Sequence, residues 1–83
     1  MSDIHLAELD SLRDGEAGNV CHIGLCGAVL SRLRDLGLIE GTKITKLYSS
    51  FCKDPSAYYF RGAVIALREC DAEMITVTTE RGE

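Results

Sequence analysis

Cys21 and His22 are adjacent, Cys26 follows four residues after His22, and Cys52 and Cys70 complete the set of four cysteines. Thiolate and imidazole are the ligands that zinc and ferrous iron accept. These five residues are therefore the candidates for a metal site. Their spacing does not favour one: no C-x-x-C pair and no H-x-x-x-H occurs. The competing reading packs Cys21, Cys52 and Cys70 as small buried hydrophobes and leaves His5 and His22 at the surface. Nucleophilic catalysis has less support, since no serine, cysteine or histidine spacing pairs a nucleophile with a base. No G-x-x-x-x-G-K-[ST] loop is present to cradle a nucleotide. The chain is expected to be no enzyme and to carry no cofactor. Its acidic residues near both ends read as solvated faces.

The elements that must position these residues are short. The 83 residues, 46% hydrophobic and 27% charged, fit one globular domain over 1–83. Leu6, Leu9 and Leu12 recur every third residue, which predicts one helical turn or an irregular wrap over a core. The run D-G-E-A-G-N reads as a turn, and 19–25 as a first strand. Residues 27–36 predict a short helix with Val29, Leu30, Leu33 and Leu36 on one stripe and Ser31, Arg32, Arg34 and Asp35 opposite. Gly37 falls where a helix ends left-handed, and Leu38 can then pack back on Leu33 in a Schellman end. Gly41-Thr42 opens a tight turn into a strand at 43–50, where the three-residue step from Ile44 to Leu47 calls for a bulge.

After a turn at 53–55, strands are expected at 56–62 and 63–69 with Gly62 between them. A short turn or single helical turn follows, then a strand at 75–79 with Ile75 and Val77 inward, and a frayed R-G-E tail. About five strands around a thin core with one inserted helix imply a mainly β fold, a small closed or nearly closed antiparallel barrel. Closure would remove sheet edges.

Charge is unevenly spread. The total is −4. Residues 1–19 and 69–83 each sum to −4, while 32–46 and 47–68 each sum to +2. An acidic total argues against nucleic acid as a partner. The basic middle suits an acidic protein surface. Arg32 and Arg34 on the polar side of the helix, with Lys43 beyond the turn, are the candidate partner-binding residues. Tyr48, Tyr58 and Tyr59 suggest either an aromatic peptide groove or ordinary strand content. The start is acidic and lacks a signal-peptide core, and no apolar run approaches the ~20 residues that cross a bilayer. A cytosolic chain with reduced thiols and no direct membrane insertion is expected.

One string spans nearly the whole chain. It runs Leu9, Gly15, Val20 and Ile23, then Arg32-Leu33, Leu36-Gly37-Leu38, Gly41-Thr42 and Ile44. It continues with Asp54-Pro55, Arg61-Gly62, Ile65-Ala66-Leu67-Arg68, Asp71-Ala72, Ile75 and Val77. In this the chain resembles the FeoA family of small cytosolic accessory proteins of bacterial ferrous-iron transport. The resemblance implies an SH3-like barrel and no catalysis. It also implies a regulatory or accessory role toward a membrane ferrous-iron permease that carries a cytosolic GTPase domain. Attachment to the inner membrane would run through that partner.

Cys52 stands where the family commonly has an apolar residue. Lys46 stands where it usually has an apolar strand residue, so its stem is expected to snorkel with the ammonium at the surface. Phe51 and Lys53 replace the Pro and Gly that often precede Asp-Pro, which leaves the conformation of the 51–55 loop open. A related SH3-like domain ends iron-dependent repressors, and 83 residues leave no room for their DNA-binding domain. Two alternatives stand beside the accessory role: a metal-binding regulator or iron chaperone using the Cys/His set, and an SH3-like peptide-binding adaptor.

Overall fold

The computed structural model describes residues 3–49 and 55–81. Six antiparallel strands form one sheet: β1 (Asp3–Glu8), β2 (Ala17–Ile23), β3 (Lys43–Ser49), β4 (Ser56–Phe60), β5 (Ala63–Leu67) and β6 (Ile75–Arg81). Their order is β1-β6-β2-β3-β4-β5. Helix α1 (Gly27–Asp35) joins β2 to β3, and the single turn α2 (Glu69–Ala72) joins β5 to β6. The fold is mainly β with one short inserted helix, as the sequence predicts, and differs in two respects. Among the described residues there are six strands, and the sheet stays open: β1 and β5 each pair on one side only. The core that closure would seal is instead capped by Leu33 of α1 and by Leu9 and Leu12, all packed with Val20, Ile44, Phe60, Ile75 and Val77.

The extra strand comes from the N-terminal segment. The leucine spacing there suggests a helical turn or a wrap, yet β1 pairs residue for residue with β6, from Asp3↔Arg81 to Glu8↔Thr76. The threefold spacing survives only in the 3-10 turn Leu9–Ser11 that follows. Three residues per turn put Leu9 and Leu12 on one side, and both are buried. Leu6 belongs to the strand and is 71% exposed.

The bulge expected in β3 is present: the β3–β4 register shifts between Lys46 and Tyr48. Ahead of it, Ile44 and Lys46 both point inward. Lys46 is only 8% exposed, and its Nζ donates to the Asp10 carbonyl at 3.2 Å. The ammonium is thus held by a protein carbonyl rather than carried out to the surface. An inward lysine requires such a partner, because a buried cation without one is costly.

The β4–β5 hairpin turns on Arg61-Gly62, with φ of 50° and 84°. Positive φ at both positions is the mark of the type I′ turn that suits two-residue hairpins. Glycine takes the second position without the Cβ penalty. Among the described residues no helix is long and apolar enough to cross a membrane.

Candidate partner-binding surface

Helix α1 ends where Gly37 takes φ of 100°. The Gly37 N–H donates to the Arg34 carbonyl and the Leu38 N–H to the Leu33 carbonyl, both at 2.9 Å. These are the two bonds of a Schellman end. Leu38 and Leu33 are both buried in the core. The loop beyond is tied by Thr42. The Ile39 N–H donates to its Oγ1 at 3.1 Å, and its hydroxyl reaches the Gly37 carbonyl at 3.4 Å. Gly41, with φ of 93°, donates to the Val20 carbonyl at 2.6 Å, and Val20 donates to the Thr42 carbonyl at 2.9 Å. The loop is therefore fixed to β2 as well as to the helix.

The hairpin completes this end. A Cβ built on Gly37 would lie 3.0 Å from both Cδ and Nε of Arg61. The Arg61 side chain thus lies across the bare glycine. Arg61 and Lys43 line one hollow of about 340 Å³ together with Gly41, Thr42, Thr45 and Tyr59. Two cations and an aromatic face around one hollow can receive a carboxylate-bearing side chain.

The three cations singled out from the sequence are all exposed but do not converge. Arg32 lines a hollow of about 190 Å³ between α1 and β5, with Val29, Leu33, Ile65, Leu67, Arg68 and Asp71. Arg34 faces another, with His22, Ile23, Ile39 and Glu40. Lys43 belongs to the Arg61 hollow. The two arginines diverge because two positions on a helix are ~200° apart. Arg61 and Arg68, present in the sequence only as parts of the R-G and A-L-R pieces, are the basic neighbours that sequence reasoning did not assign. The apolar stripe of α1 is only partly covered. Leu33 is buried, whereas Val29 and Leu36 are 37% and 38% exposed.

Cys21, Cys26 and Cys70 are exposed free thiols, and His5 and His22 are also exposed. This corrects the buried reading of Cys21 and Cys70. Cys21 follows inward Val20 where the β2–β6 register shifts, so it turns outward, and Cys70 lies on the outer side of α2 while Ala72 fills the core. Cys52 and most of the 51–55 loop lie outside the described residues. Among the described residues, no three of the Cys/His candidates bring ligand atoms within 4.8 Å of one another. The group that does so is Asp10, Glu69 and Glu73, contributed by the 3-10 turn, α2 and the residue that caps α2. One Asp10 carboxylate oxygen is buried there without a hydrogen-bond partner. The tyrosines divide: Tyr58 is buried in the core, while Tyr48 and Tyr59 are exposed on the outer face.

A family model, the FeoA domain, matches residues 7–79. Among solved structures, the FeoA protein of Chlorobium tepidum gives a TM-score of 0.85 at 32% identity, over 93% of this chain and 73% of that one. Iron(II) transport protein A of Clostridium thermocellum gives 0.80 at 22% identity, over 88% and 45%. The zinc complex of Stenotrophomonas maltophilia FeoA, a prokaryotic SH3 domain protein, gives 0.74 at 20% identity, over 98% and 95%. The last two show likeness of fold. No curated protein sequence matches the chain. With the family match running from β1 into β6, and a FeoA protein 32% identical over 93% of this chain sharing the fold, the chain belongs to the FeoA family.

Proposed function

We propose that the chain is a non-enzymatic accessory protein of ferrous-iron uptake that binds the cytosolic, GTPase-containing part of a ferrous-iron permease. It works in the cytoplasm and reaches the inner membrane through that partner. The observation that carries this reading is the FeoA-domain match over residues 7–79. The surface supports it. In a chain of net charge −4, exposed cations stand on α1 (Arg32, Arg34), at the start of β3 (Lys43) and on the β4–β5 hairpin (Arg61). Arg32, Arg34 and Lys43 sit in separate hollows, but a protein partner covers roughly 800 Å² per side. That footprint is wide enough to engage more than one hollow on a chain exposing 5383 Å².

The test is a binding titration of the purified chain against the permease's isolated cytosolic GTPase domain at two salt concentrations. Saturable binding that weakens as salt rises is expected, since exposed charge pairs are screened. Arg32→Glu and Lys43→Glu should each weaken it. No binding at either salt concentration contradicts the reading.

A further inference from the structure

β5 ends the sheet, and its free side has a shaped neighbour. Among the described residues it pairs with β4 alone, from Phe60↔Ala63 at the turn to Ser56↔Leu67. In a two-residue hairpin the closing pair exchanges both ladder bonds, and every second pair does the same. Ala63, Ile65 and Leu67 therefore spend their backbone groups on β4, and Val64 and Ala66 turn theirs outward. No other backbone hydrogen bond among the described residues engages Val64 or Ala66. Both residues are exposed, Val64 at 58%. Alongside runs the hollow between β5 and α1. Val29, Leu33, Ile65 and Leu67 supply its apolar wall, and Arg32 and Arg68 oppose a single Asp71.

We propose that the β5 edge receives an extended acidic segment of a partner protein as an added strand. Val64 and Ala66 offer two N–H donors and two carbonyl acceptors to such a strand, the main-chain half of strand addition. Successive side chains of the incoming strand alternate between faces. One set enters the hollow against Val29 and Leu33. Carboxylates within that same set meet Arg32 and Arg68, which line the same hollow, and this selects acidic over basic segments. The inference rests on the proposed function in taking this segment to belong to the permease's cytosolic part, while the peptide arm tests the edge by itself.

The probe is an end-blocked eight-residue peptide, Thr-Val-Thr-Glu-Thr-Val-Thr-Glu, whose valines and glutamates share one face of an extended strand, with lysine in place of glutamate in the control. Binding is read by titration and by amide hydrogen exchange. The glutamate peptide should bind at least about tenfold more tightly than the lysine peptide. The Val64 and Ala66 amides should slow by about tenfold or more, while those of Ile65 and Leu67, already bonded to β4, should not change. Ala66→Pro removes an outward N–H and leaves the β4 bonds in place, so it should abolish binding in a folded protein.

The charge arm does not depend on that proline: Arg32→Glu with Arg68→Glu should remove the preference for glutamate. Equal binding of both peptides, or no binding at millimolar peptide, overturns the proposal. Protection of Val64 and Ala66 in the free protein overturns it too, because a second copy would then hold the edge. A GTPase domain that binds without protecting these two amides overturns this inference and leaves the partner assignment standing. Peptide binding without GTPase-domain binding does the reverse.

Discussion

The two sides of α1 are built to opposite ends. At its C-terminus, every feature is bonded: two Schellman bonds, a threonine bridging Ile39 and Gly37, and an arginine laid over Gly37. Along its flank toward β5, the same helix leaves Val29 partly bare and faces a hollow beside an unpaired strand edge. One side holds the helix at a fixed angle, and the other presents what that angle creates. The comparison teaches that in a domain this small, rigidity and recognition can share one nine-residue helix by occupying different sides of it.

Substitutions that break the locked side should cost stability, and those on the open side should cost binding. Leu33 serves both, being buried in the core and lining the hollow. Leu33→Ala should produce the largest effect, a loss of about 2–5 kcal/mol in denaturant unfolding. Gly37→Val should cost about 1–2 kcal/mol from the left-handed backbone alone. The displaced Arg61 stem adds to that, and an unchanged denaturant midpoint would show that the helix does not end as described. Thr42→Val removes the Oγ1 bonds to Ile39 and Gly37 and should cost about 1 kcal/mol by the same measurement.

Arg34→Glu, on the exposed helix face, should shift stability by about 0.5 kcal/mol or less while weakening an acidic partner more at low salt than at high. The smallest expected effect is none. Thermal melts by circular dichroism should coincide with and without chelator, because the apolar core and not a metal site holds the fold. A metal-dependent fold would lose stability under chelator.

The locked side was legible in the sequence because its signals are local. A leucine stripe, a glycine and a further leucine at fixed offsets define a Schellman end whatever surrounds it. The bulge in β3 followed likewise from the odd step between Ile44 and Leu47. What the sequence hid depends on partners far along the chain. β1 is a strand because β6 lies beside it, and the leucine period favoured a turn. The sheet stays open with β5 facing α1 across a hollow, an arrangement that no local pattern encodes. Lys46 is inward because the Asp10 carbonyl is there to receive it. Arg61 reads as a hairpin residue, and only folding lays it over Gly37. Asp10, Glu69 and Glu73 meet for the same reason, from opposite ends of the chain. The exposed thiols of Cys21 and Cys70 could not be read from the general tendency of cysteine to be buried.

The most direct test of the division between a locked and an open side is an amide hydrogen-exchange map, with and without the permease's cytosolic GTPase domain. The account predicts new protection at Val64 and Ala66, with Gly37, Leu38 and Thr42 equally protected in both states. New protection at the loop after α1 with none at β5, or a map unchanged by the domain, would contradict it.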